Sequence, residues 1–260
     1  MKKWVLFIQL FAIVYTCLLT ACSGDDEEDN VKNITVTIRD DGSTSNGSIF
    51  SAIDDKNFYI DYVKYSVVEG HLEVSGWDSK GFNGVANIVS KVNYHGNYYE
   101  VLEIGSHAFY DCYNLTKIII PNSVRRIGRD AFRKCSNLTT ITIPNGVTYI
   151  EESAFSSCEN LTYVTIPNTV IKIAWDVFYN CTSLTSITIP TSVTWIGCWA
   201  FENCTSLTSV ECKSTTPPDI CNTAFPNVKY SNATLYVPKG SANAYQAAEG
   251  WSNFNRIIEK

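Results

Sequence analysis

Ten cysteines give this 260-residue chain its widest choice of chemistry. In an exported protein, thiols can close into disulfides, and where they converge in space they can hold a metal. Five of them, Cys112, Cys135, Cys158, Cys181 and Cys204, recur at intervals of 23 residues. A residue type that returns once per unit at a fixed inward place acts as a small hydrophobe filling a column. Five is an odd number for pairing, and thiols set along a line do not converge tetrahedrally on an ion. The expectation is reduced, buried thiols with no metal and no cofactor. Cys198, Cys212 and Cys221 fall outside the column, and a bridge between Cys212 and Cys221 is left open. Acid–base chemistry has little to work with. The three histidines, His71, His95 and His107, belong to no nucleophile or metal motif, and Gly-x-Ser-x-Gly, His-Glu-x-x-His and phosphate-loop patterns are missing. Asp130, Glu152 and Asp176 occupy variable slots that read as solvent-facing, so no catalytic residues and no enzyme are expected.

The elements that would position these residues are set by the same period. Ile104, Ile127, Ile150, Ile173 and Ile196 are 23 residues apart, as are Phe109, Phe132, Phe155, Phe178 and Phe201. Leu115, Leu138, Leu161, Leu184 and Leu207 keep step, together with Val124, Val147, Val170 and Val193 and with Pro121, Pro144, Pro167 and Pro190. Within one unit, Leu138-Thr139-Thr140-Ile141-Thr142-Ile143-Pro144 alternates apolar and hydroxyl residues, the period of a half-buried strand. Pro144 cannot donate to a ladder and so belongs at the strand's end, and Asn145-Gly146 supplies turn chemistry. From Ile127 to Cys135 the buried-type residues fall at spacings nearer a helical turn. Each unit is therefore one strand plus a tight turn or short helix.

One unit cannot fold alone. About six apolar side chains contribute ~10–18 kcal/mol, less than the cost of ordering its backbone at ~1–2 kcal/mol per residue. Stacking must bury the rest. Coils about 4.8 Å apart pair their strands in parallel and lay each Phe on the next, so that five coils span roughly 25 Å.

The pattern Ile-Gly-x-x-Ala-Phe-x-x-Cys-x-x-Leu-Thr-x-Ile-x-Ile-Pro resembles the BspA-like leucine-rich repeats of surface proteins of Bacteroidetes and some protists. The resemblance implies a mostly β, right-handed leucine-rich-repeat solenoid, with regular coils over 104–212. Residues 213–260 are then a degenerate repeat and cap. Ile220, Ala224 and Phe225 stand one residue late, Pro217-Pro218 marks the break, and Lys213 replaces the strand-ending proline. Leu235 to Gly240 and Trp251 to Phe254 look like the closing segment of such arrays. Residues 32–103 read as an N-terminal β region that caps the solenoid, a strand meander from Phe58 to Ile104 with turns at Glu69-Gly70 and His95-Gly96. Asp40 to Ser48 is a loop or linker, and whether 32–57 is a separate unit stays open.

The N-terminus reads as a targeting segment. Lys2 and Lys3, an apolar stretch from Trp4 to Leu19 and small residues before a cysteine make a secretory signal over 1–21. Leu19-Thr20-Ala21-Cys22 looks like a bacterial lipobox, which implies lipidation of Cys22 and a membrane anchor carried by several acyl chains. Residues 22–31 are a solvated tether. Its run Asp25-Asp26-Glu27-Glu28-Asp29 resembles the acidic export signal of surface lipoproteins of Bacteroidetes, implying an outer-membrane lipoprotein exposed at the cell surface. The formal charge of −6 becomes −8 once Lys2 and Lys3 are removed, and only −3 without the five tether acids. No basic stripe is present, which argues against nucleic acid.

Interaction must then be written on the coil surfaces. The outward strand positions, Lys117 and Ile119, Thr140 and Thr142, Tyr163 and Thr165, Ser186 and Thr188, Ser209 and Glu211, are polar and hydroxyl-rich. Such a face serves solubility and strand propensity, or else recognition. A threonine column also suggests ice binding, but this rank is short and broken by Tyr163. Tyr149, Trp175, Trp195 and Trp199 flank the isoleucine slot and either face a partner or lie under the next coil. With Tyr163 they form the candidate binding surface. Sequons such as Asn137-Leu138-Thr139 are products of the repeat and imply no glycosylation. The resemblance implies an adhesin-like module for a host or bacterial protein or glycan; the alternative is a lipoprotein that captures a glycan or nutrient without cleaving it.

Overall fold

A computed structural model describes residues 35–38, 44–226 and 233–260. The signal segment, Cys22 and the acidic tether lie outside the described residues, as do residues 40–43 of the linker. The chain winds into a mostly β solenoid in which each 23-residue unit is one coil. Every regular coil carries a longer strand, a two-residue strand and an arc of turns.

The longer strands run through Val85–Asn87, Lys117–Ile119, Thr140–Thr142, Tyr163–Thr165, Ser186–Ile189, Ser209–Cys212, Thr234–Val237 and Arg256–Glu259. Neighbours pair in parallel at the repeat spacing, Thr140 with Tyr163 and Ser186 with Ser209. Alternation sends Ile118, Ile141, Val164, Ile187 and Val210 inward and leaves the flanking positions outside. Lys213 shows why the strands end in proline: it stands where other coils carry proline, and its free amide donates to the carbonyl of Ile189.

The second half of the coil is the turn form rather than a continuous helix. The amides of Ala108, Tyr110 and Cys112 bond back three residues within the coil, while those of His107, Phe109 and Asp111 donate to Arg129, Ala131 and Arg133 of the next coil. Alternating the two bond types forces two left-handed residues per coil, Asp130 and Lys134, Ser153 and Ser157, Asp176 and Asn180. The helix-like spacing of buried residues has this origin. Asp130 departs from the solvent-facing expectation, since the arc buries it beneath Arg133 at 3.1 Å, Arg129 at 3.6 Å and His107 at 3.8 Å. Asp176 is half-buried, and burial raises its carboxyl above the ordinary value against the opposing pull of Arg133.

Like stacks on like inside. Phe109, Phe132, Phe155, Phe178 and Phe201 form one stack with ring centroids 5.3–5.6 Å apart. The column cysteines are buried and free, and the Sγ–H groups of Cys135, Cys158, Cys181 and Cys204 donate to the Phe carbonyl of the preceding coil at 3.1–3.3 Å. Much of the hydroxyl richness is scaffold as well. Thr162, Thr185 and Thr208 each donate Oγ1–H to a threonine carbonyl one coil back.

Both ends are closed. At the N-terminal end, Asn57–Ile60, Val63–Val68 and His71–Trp77 form an antiparallel meander, and Lys91–Tyr94 hairpins with Asn97–Ile104. Glu69-Gly70 and His95-Gly96 all have positive φ, the two-residue hairpin geometry expected of those pairs. Thr35–Thr37 and Phe50–Ala52 are the outer strands of the same sheet. Asn97–Ile104 joins cap to coil, pairing with His71–Trp77 and, through Glu103 and Ile104, with Arg126–Ile127. At the C-terminal end, the helix Ala242–Ala247 and the turn Trp251–Asn253 bring Trp251 and Phe254 against Phe225, with Tyr245 edge-on to Trp251.

The disulfide joins Cys198 to Cys221, with Cα atoms 4.9 Å apart, and not Cys212 to Cys221. Cys212 lies 23 residues beyond Ile189 and continues the buried column of Ile120, Ile143, Ile166 and Ile189, so its thiol points into the core beside Tyr245. Cys198 and Cys221 occupy half-buried arc positions on adjacent coils.

Candidate functional site

The two-residue strands fall in two parallel runs on successive coils, Arg126–Ile127 and Tyr149–Ile150 in one, and Lys172–Ile173, Trp195–Ile196 and Asp219–Ile220 in the other. The isoleucine faces the core, and the residue before it faces out. Arg126 aligns with Glu103 and Tyr149, Lys172 with Trp195, and Trp195 with Asp219. On successive coils the outward column reads Glu103, Arg126, Tyr149 in the first run and Lys172, Trp195, Asp219 in the second, with Tyr149 and Lys172 23 residues apart across the break.

A cleft of about 800 Å³ opens along the middle of this column, lined by Tyr149, Lys172, Trp195, Ile171, Arg129 and the Glu151–Glu152 pair among others. Its apolar part is unusually open to solvent, with Tyr149 69% and Ile171 55% exposed. Large apolar side chains concentrate at contact surfaces, where a partner covers them. Charge in the cleft is mostly paired. Arg126 donates Nη1–H to Glu103 at 2.8 Å and Nη2–H to Glu151 at 2.7 Å, contacts that favour its charged form, while the other Glu151 oxygen accepts the Arg129 amide at 3.0 Å. Arg129 lies 3.5 Å from Glu152. Lys172 has no ion-pair partner among the described residues.

The five candidate aromatics divide accordingly. Tyr149 and Trp195 line the cleft. Trp175 is exposed at its margin, its indole lying over Gly197, where an added Cβ would come within 2.4 Å of the ring. Trp199 is an exposed left-handed residue of the arc, and Tyr163 projects from the longer strands on a different ladder. Ile171, Lys172 and Glu151 were not among the candidates. The available signal was an isoleucine at 171 where other coils carry Arg125, Thr148 and Thr194. Among the described residues no group of three His, Cys, Asp or Glu is placed to hold a metal ion.

The BspA type leucine rich repeat region matches residues 102–232 in six copies. No curated protein shows a significant match to the chain. Among solved structures, the T. pallidum leucine rich repeat protein TpLRR is 27% identical, with 76% of this chain and 80% of that one covered and a TM-score of 0.55. A leucine rich cell surface protein of Faecalibacterium prausnitzii is 24% identical over 80% of this chain and 56% of its own, with a TM-score of 0.51. The pneumococcal vaccine antigen PcpA is 19% identical over 77% and 48%, with a TM-score of 0.60. The last two likenesses show the fold alone. Solenoids of this kind are generally non-catalytic scaffolds that present an extended binding surface. With half its length matched by the repeat and the same stack of coils in its fold, the chain belongs to the BspA-type leucine-rich-repeat family.

Proposed function

We propose that the protein is a surface-anchored, non-catalytic, adhesin-like module that takes a host or bacterial protein or glycan into the Tyr149–Lys172–Trp195 cleft. The observation that carries this reading is the cleft itself: Tyr149 and Ile171 stand exposed along it beside Lys172, whose ammonium group has no ion-pair partner among the described residues. The anchor belongs to the same proposal: cleavage after Ala21, lipidation of Cys22 and a tether through residue 31 would hold the body at the outer membrane's outer surface. A second reading, capture of a glycan or nutrient for the cell, uses the same cleft.

The test displays the full chain on bacteria and measures binding to arrays of glycans and of host surface proteins. Saturable binding lost in Tyr149→Ala/Trp195→Ala and kept in Thr142→Ala/Thr165→Ala is expected. Equal binding by both variants, or loss only in the threonine variant, would remove the cleft from the proposal. Metabolic labelling with an alkyne fatty acid should mark the wild type and not Cys22→Ala.

A further inference from the structure

We infer that the cleft is a subsite for a linear polysaccharide in which an uncharged sugar alternates with a uronate; this rests on the cleft being the binding face. The coils that carry Tyr149, Lys172 and Trp195 stack through Phe155, Phe178 and Phe201 at 5.6 and 5.5 Å, so Tyr149 and Trp195 start from coils ~11 Å apart with Lys172 on the coil between. An extended peptide returns a side chain to the same face every ~6.8 Å, which is out of step with that spacing. An extended chain of linked pyranose rings matches it, because a disaccharide covers about two coil spacings and every second ring falls on an aromatic side chain. Aromatic faces stack on the C–H faces of uncharged sugars.

The middle ring then lies over Lys172. Of the cations lining the column, Arg126 is held between Glu103 and Glu151, and Arg129 lies against Glu152 and Asp130. Lys172 alone has no carboxylate partner among the described residues, so its complement is an anion supplied by the ligand. A carboxylate on alternate sugars places one charge at that position and keeps charge off the two stacking positions.

The probe is a hyaluronan decasaccharide, tested by titration calorimetry against the full chain in mild detergent beside its carboxyl-reduced, neutral counterpart. The acidic sugar should bind about tenfold more tightly than the reduced one, and more weakly as salt rises. Lys172→Gln should remove that preference, so that the acidic and reduced sugars bind this variant alike. Tyr149→Ala should weaken both sugars by about tenfold or more. Because Trp195 is half-buried, Trp195→Phe accompanies Trp195→Ala, and an unchanged melting temperature keeps a loss of binding attributable to the ring. Equal binding of the two sugars, a preference that survives Lys172→Gln, or no binding of the decasaccharide overturns the inference. If the cleft variants still abolish binding of some other ligand on the arrays, the cleft reading stands without the acidic sugar; if they affect nothing, both fall.

Discussion

The middle coils and the last coil use the same columns but close them differently. Between Phe132 and Phe155 the rings are 2° from parallel, because a stack made by translation sets each ring as the one before. Beyond Phe225 the pattern ends: Trp251 meets it at 42° and Phe254 at 65°, the tilted and edge-on contacts that close an aromatic column. Hydrogen bonding diverges in the same way. Middle coils satisfy their carbonyls with thiols and hydroxyls of the next coil, whereas Tyr245 donates to Ser214 and Trp251 donates to Pro218, each at 2.8 Å. The last coil also carries the disulfide, at the step where the isoleucine register slips from 23 to 24 residues between Ile196 and Ile220. Repetition makes the middle self-supporting, and where it fails a covalent bond and two polar-tipped aromatics replace it.

That contrast can be tested by perturbing each region. The largest effect should come from Phe155→Ala, which opens a cavity between two stacked rings and should lower stability by ~3–5 kcal/mol in denaturant titration; a marginal change would mean the stack is not core. Removing the disulfide with Cys198→Ser/Cys221→Ser should cost ~2–4 kcal/mol. Hydrogen exchange should place that loss in the last coil and cap, and equal deprotection of the Phe132 and Phe155 coils would erase the distinction between the regions. Thr162→Val deletes one coil-to-coil hydroxyl bond and should cost ~1 kcal/mol. Tyr149→Ala should change stability by no more than ~0.5 kcal/mol, since its ring serves the surface, and a larger loss would return Tyr149 to the scaffold.

The smallest response is expected from native thiols. Burial raises Cys112 and Cys204 to about 12 and Cys135, Cys158 and Cys181 in the same direction, so at pH 8 little thiolate forms even where reagent could reach. Cys135, Cys158 and Cys181 should stay unlabelled in mass spectrometry, and Cys212, beside the cap, should be the first to react when the ends fray. Labelling of the middle column first would reverse the comparison.

The solenoid, its columns and its strand positions were legible because a fixed period repeats each inward residue type, and inward positions tolerate few types. The hairpin turns were legible for a local reason as well: Gly70 and Gly96 permit positive φ. The place of Cys212 was not legible for the converse reason, since a cysteine in an isoleucine column breaks the type while keeping the place, and it read instead as a possible partner of Cys221. Asp130 was misplaced because its burial comes from arginines and a histidine that fold over it rather than from apolar neighbours.

The chain's own sequence determined which residues face the core, where each coil begins and how the coils align, since the 23-residue period and strand alternation are one-dimensional properties. Only the tertiary structure decided that Tyr149 and Trp195 share a cleft while Tyr163 lies on another ladder, and that Cys221 meets Cys198. Those outcomes depend on how the arc turns and on which side chains of neighbouring coils meet, and contacts between coils set both.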